Sequence, residues 1–285
     1  MNRTQSLLLS QGIPLALTFI LCILLSVLYA GQIHLLNYFT TDDISLQLRF
    51  VDILIGLTIY LKTAIDFALY IGNLMGKYPS WKDRVSIEIG SGVGNALGTM
   101  AILIVWTFFK EITWLLALMI IIAGLVLLKL AEESLEHAKQ EGRIYDSSST
   151  SLVDRSIFYI EKGLDIVNRI FSPILKYVIP SMSMKEDSLT KKSFWGLFVL
   201  AFTVPFILGL DDFAGYVSLF SVVNVFGFGV GVFLGHMILN IALYISPRHT
   251  IQAVKNRWVA LIGSVAFIAI AIWGFYEVFH MLHIL

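Results

Sequence analysis

Two aspartates in a very apolar chain carry the strongest chemical signal. They stand in near-copies of one phrase: residues 63–74 read TAIDFALYIGNL and residues 209–220 read GLDDFAGYVSLF. With Asp66 set on Asp212, the residues Phe67, Ala68, Tyr70 and Ile71 match Phe213, Ala214, Tyr216 and Val217. A carboxylate at membrane depth is costly and commonly faces a bundle interior or a watery path. Asp66 and Asp212 are therefore candidate cation ligands. The plainer alternative is a buried ion pair, because Lys62 stands one helical turn before Asp66. Lys62 has no charged counterpart in the second copy, where Leu208 stands. Its expected role is to keep the empty site neutral and to yield when a cation enters. Asp211 points elsewhere on an unbroken helix and becomes a ligand only if the helix opens. Pro205 and Gly209 favour such an opening.

Further polar residues extend the set. Asn73, two turns beyond Asp66, offers a neutral oxygen. Glu88, Asn95 and His236 lie in or near other apolar runs and are candidates for a secondary or coupling site, together with Lys62. For Asn73, Asn95 and His236 a satisfied polar group in packing is an equal reading. Glu88 and Asp52, near span ends where water is close, and His280 and His283 at the outer terminus are weaker candidates. Hard oxygen ligands suit Mg, Ca or Mn, and a histidine moves the preference toward Mn and later metals. Paired carboxylates also bind protons, which allows exchange of metal for protons. No resident cofactor is expected; the divalent cation enters as substrate.

A second repeat follows the first. Residues 90–100 read GSGVGNALGTM and residues 227–237 read GFGVGVFLGHM. Gly90, Gly94 and Gly98 are spaced by four, as are Gly227, Gly231 and Gly235, which places each row on one helix face for close packing. Two ordered matches read as an internal duplication. Each unit holds three spans, an odd number, so the copies run in opposite directions across the membrane. Inverted repeats of this kind are typical of secondary transporters, with the site near the midplane where the halves meet.

The elements that must position these residues are membrane helices. The chain has 285 residues, is 57% hydrophobic and only 14% charged, and has a mean hydropathy of +0.81. Soluble domains carry roughly 25% charged residues, so the class is an all-α polytopic membrane protein in contact with the lipid bilayer. About seven spans are expected, at 12–36, 51–75, 87–109, 113–131, 193–222, 223–246 and 258–283. They divide the chain into a leading helix with an outer loop (1–49), a first three-helix repeat (50–131), a cytoplasmic loop (132–192) and a second, inverted three-helix repeat (193–285). The opening MNRTQS and its apolar run resemble a signal peptide, but the run has spanning length and is read as a retained helix. Arg3, Lys77, Lys82, Arg84, Arg248, Lys255 and Arg257 fall on one side, against Arg49 and Lys110 on the other. This bias puts the N-terminus in the cytoplasm and the C-terminus outside, in a plasma (inner) membrane. In the loop, Val153, Ile157, Ile160, Leu164, Val167, Phe171, Ile174 and Val178 form an apolar stripe at helical spacing. It suits a helix on the membrane surface or against the bundle, kinked at Pro173; a regulatory helix or a homodimer contact is the other reading. Zero net charge gives no sign of nucleic acid, and the single Cys22 excludes an internal disulfide and a cysteine metal cluster.

At its acidic motifs the chain resembles the LysE superfamily of small exporters, particularly the TerC and CadD branches. The CadD-like features are Thr63-Ala64-Ile65-Asp66 and the stretch from Gly209 to Tyr216. The TerC-like feature is IIAGLVLLKLAEESLEHAKQEG leading into a charged loop before the second motif. The resemblance covers most of the chain and implies an inverted-repeat exporter, often of manganese or cadmium. It implies Asp66 and Asp212 as ligands, with Asp211 less directly supported. Those families commonly follow the acidic residue with Asn or Ser; this chain has Phe67 and Phe213.

The leading expectation is thus a non-enzymatic exporter of a divalent metal cation, manganese first. An exporter of a small organic solute is the alternative. A membrane assembly factor and an intramembrane aspartyl protease are weaker readings. The protease reading lacks its Gly-x-Gly-Asp pattern, since Gly209-Leu210-Asp211 stands there.

Overall fold

In the computed structural model the described residues are 12–41, 43–138, 152–178, 193–211, 213–220, 223–254 and 256–282. Among them the regular elements are all helices. In chain order these are α1 (Ile13–Leu36), α2 (Phe50–Thr63), α3 (Ile65–Lys77), α4 (Trp81–Phe109), α5 (Thr113–Ala138), α6 (Leu152–Val178), α7 (Phe194–Asp211), α8 (Phe213–Phe220), α9 (Val225–Ile245), α10 (Pro247–Val254) and α11 (Arg257–Met281).

By length and composition five of these can each cross a membrane: α1, α4, α5, α9 and α11. The protein is a helical membrane protein on that ground. Large apolar side chains on the outer faces of α1 (Phe19, Ile23, Val27) and α11 (Ile262, Val265, Ile272) are exposed, as contact with lipid requires. The expected span 51–75 is not one helix. It is α2 and α3, bent by 66°. Ala64 leaves helical geometry at φ −77° and ψ 20°. Just before it, the Thr63 hydroxyl donates to the Tyr60 carbonyl at 3.2 Å, a carbonyl that also accepts the Ala64 N–H. Such side-chain competition for a backbone acceptor weakens helix continuation. In the expected span 193–222 the described helical residues are α7, which contains Pro205, and α8. α4 starts at Trp81, earlier than the apolar run, because the charged residues ahead of that run are helical as well. Asn side chains start two other helices: Asn224 Oδ1 accepts the Gly227 N–H at 3.1 Å, and Asn256 Oδ1 accepts the Trp258 N–H at 2.9 Å.

The chain forms two compact units, and each draws helices from both expected repeats. The first contains α1, α2, α3, α4, α7, α9 and α10. Its framework is two tight helix pairs, α4 against α7 and α9 against α2. Each pair is closed by a glycine row. A methyl on Gly90 would lie 2.5 Å from the Phe198 carbonyl oxygen, and one on Gly94 would strike that of Phe202. In the other pair, methyls on Gly231 and Gly56 would strike the carbonyls of Ile53 and Phe228. α1 packs on α4 and α9, tied by Gln32 donating to the Met100 carbonyl at 2.8 Å.

The second unit contains α5, α6, α8 and α11. α5 and α11 pack along each other, with Ser134 Oγ donating to the Ala260 carbonyl at 2.8 Å. α6 lies on α5. Its expected stripe buries Ile157 and Leu164 and half-buries Ile160, Val167 and Phe171. The side chains of Val153, Ile174 and Val178 lie outside the described residues, and α6 continues through Pro173. Two polar residues share the inner face. Asp154 pairs with Arg257 of α11, and Asn168 donates to Glu132 of α5 at 2.6 Å.

Candidate functional site

The first acidic motif lies at the joint between α2 and α3. The Ala64 N–H reaches back to the Tyr60 carbonyl at 2.9 Å, and the Ala64 carbonyl takes the Ala68 N–H at 2.8 Å. A helix end leaves its last carbonyls and its first N–H groups without partners inside that helix. The joint therefore sets the carbonyl end of α2 beside the first turn of α3, where Asp66 is the second residue. Lys62, next to last in α2, is half-buried. Asn73 is exposed on α3. In the second motif, Asp211 is the last described residue of α7 and Phe213 the first of α8. α3 touches α7 within the first unit. Asp212 and the side chains of Asp66 and Asp211 lie outside the described residues.

The described side chains show a second polar site, buried between α1, α4 and α9. Its lining includes Thr18, Cys22, Glu88, Gly92, Asn95, His236 and Asn240. Glu88, Asn95 and His236 are 2%, 3% and 5% exposed. Glu88, Ser91 and Asn95 share one face of α4, and His236 and Asn240 share one face of α9. A hydrogen-bonded chain crosses the helices. Tyr60 Oη of α2 meets His236 Nδ1 at 2.6 Å, and His236 Nε2 meets Asn240 Nδ2 at 2.8 Å. Asn240 Nδ2 also donates to Ser91 Oγ at 3.1 Å, and Ser91 Oγ donates to the Glu88 carbonyl at 3.0 Å. With the Asn240 amide donating, Nε2 accepts, so Nδ1 carries the imidazole proton and donates to Tyr60 Oη. Both ring nitrogens are thus committed to protein partners. Gly92 keeps the space open: a methyl there would meet the Leu21 side chain at 2.8 Å and lie 3.7 Å from His236 Nε2.

The two sites adjoin. Phe67, next to Asp66, lays its ring against His236, with centroids 4.9 Å apart, and against Tyr60 at 6.4 Å. Phe67, a departure from the LysE-type pattern, is buried against this imidazole.

Three residues singled out one by one in the sequence, Glu88, Asn95 and His236, line a single cavity. Asn240, Ser91 and Tyr60 were not singled out. The helical spacings Glu88–Ser91–Asn95 and His236–Asn240 were the available signal; Tyr60 arrives only through the α2–α9 packing. Asp52, buried near the start of α2, pairs with Arg49 at 2.8 Å. Among the described residues no three His, Cys, Asp or Glu side chains converge as a metal ligand set. No family model, curated protein or solved structure matches the chain.

Proposed function

We propose that the chain is a secondary transporter that exports a divalent metal cation, manganese first and cadmium or another metal next, through a site built on Asp66 and Asp212. The observation that carries this reading is the placement of the first acidic motif where one helix gives way to another, at the 66° bend between α2 and α3. At membrane depth, non-helical backbone is tolerated where protein buries it or it lines a cavity. Discontinuous helices offer a cation the carbonyl end of one segment and a carboxylate on the next.

The glycine pairs support the inverted repeat. Each copy's glycine helix packs on the other copy's acidic helix: α4 on α7, and α9 on α2. The registers correspond too. Gly90 sits against Phe198, and its counterpart Gly227 sits against Asp52. Phe198 and Asp52 hold equivalent positions when Asp66 is set on Asp212. The third helices, α5 and α11, pack on each other. Reciprocal contacts of this kind are what a two-fold relation between copies produces.

The test is metal content in cells expressing the chain and challenged with Mn, Cd, Co and Zn. Wild type lowers the content of at least one metal, and Asp66→Asn and Asp212→Asn each abolish the effect. Lys62→Met changes its pH dependence. If wild type alters neither content nor tolerance of any of the four, the proposal fails.

A further inference from the structure

The cavity beside the acidic motif has an unbalanced pair of groups. Glu88 Oε2 and Asn95 Nδ2 are both buried and have no hydrogen-bond partner among the described residues. One is an acceptor and the other a donor. An unpartnered buried polar group costs roughly 1–3 kcal/mol, and more when it is charged. The two stand on one face of α4 and line one space. That space offers about 20 Å³ to the centre of a water-sized guest. A single water needs roughly 10–15 Å³ on the same measure. The cavity therefore has room for one water. A water can accept from Asn95 Nδ2 and donate to Glu88 Oε2 at once. A bare metal ion would leave the Asn95 donor unmet and would find both His236 nitrogens already engaged.

We infer that this cavity is the seat of a transported proton, which Glu88 takes up at Oε2 through a bridging water held by Asn95. An excess proton reaching that water as hydronium passes to the carboxylate, which becomes the carboxylic acid and leaves neutral water behind; release returns the proton to the water as hydronium. The chain from Ser91 through Asn240 and His236 to Tyr60 holds the facing wall. Phe67, packed on His236, links that wall to the turn that carries Asp66.

Among the described residues that line the cavity, Glu88 is the one carboxylate. On the helices packed against α4, the titratable residues are Cys22, Tyr29 and His34 of α1, Asp66, Tyr70 and Lys77 of α3, and His236 and Tyr244 of α9. Between Phe194 and Phe206, α7 carries none. Of these, Cys22 and His236 line the cavity. Arg84, one turn before Glu88, directs its guanidinium to the carbonyls of Tyr244 at 2.9 Å and Met75 at 3.3 Å.

This inference rests on the transporter reading for its purpose, but its test does not. The measurement is the infrared difference spectrum of the purified protein in lipid between acid and alkaline buffer. Wild type should show a carboxylic-acid C=O band that disappears on alkalinisation. Glu88→Gln should remove it, Asn95→Leu should shift it, and Asp66→Asn should leave it in place. A wild type without such a band, or a band unchanged in Glu88→Gln, overturns the inference. Should Glu88→Gln fail to fold, Glu88→Asp decides: a displaced titrating band supports the assignment, and none overturns it. In vesicles with an internal pH dye, a manganese gradient should drive proton movement in wild type and not in Glu88→Gln. Loss of metal movement in wild type, with the band present, counts against the transporter reading and leaves the proton seat standing.

Discussion

His236 shows how little a buried residue's identity says about its job. Alone in an apolar run it reads equally as a ligand or as a packed polar group. Its contacts decide: Tyr60 and Asn240 occupy both ring nitrogens. The imidazole therefore works as a spacer that fixes one wall of the cavity. Tyr60→Phe should leave the Nδ1 proton without its acceptor and cost about 1–3 kcal/mol. The loss would be read as a lower unfolding midpoint in detergent. An unchanged midpoint would mean that the imidazole finds another partner. The chemistry of Glu88, Asn95 and His236 was legible from residue type. Their convergence was not, because it depends on the rotation of α4 against α9. Phe67 was legible only as a deviation from a family pattern; its contact with His236 accounts for an aromatic at that position.

At the scale of elements, the glycine rows were the most readable feature of the chain. Four-residue spacing predicts a flat helix face, and each row does meet backbone. Which helix each row meets could not be read, since spacing describes one surface of a contact. Gly94→Leu and Gly231→Leu should each destabilise the protein by about 1–3 kcal/mol or more, through forced separation of the helix pair. Gly31→Ala, where nothing lies within 4 Å of an added methyl, should be tolerated. Thermal aggregation of the three variants in one detergent compares them directly. Equal behaviour of Gly94→Leu and Gly31→Ala would remove the packing argument. Helix ends in apolar runs were read nearly to the residue, as α1 and α9 show. The joint at Ala64 escaped because hydropathy is continuous through residues 51–75.

At the scale of the whole molecule, neither half of the sequence forms a unit by itself. α4 and α7 are far apart in sequence yet form one of the tightest pairs, and α2 and α9 form another. Cutting the chain between Ala138 and Leu152 leaves both pairs split between two fragments. Co-expressed fragments should reassemble and restore the proposed metal phenotype, whereas each fragment alone should lack it and be short-lived. Activity from one fragment alone would mean that the cross-pairing is dispensable.

That cross-pairing also sets an order of events during synthesis. The glycine face of α4 is made about a hundred residues before Phe198 and Phe202, its partners on α7. At roughly 5–20 residues per second, the wait is on the order of 5–20 s. For that time a groove built to hold backbone faces lipid, or whatever else the insertion machinery presents to it. A nascent chain of this protein is therefore most exposed to mispairing in the interval before α7 arrives, and codon choice across residues 110–193 becomes a lever on its yield.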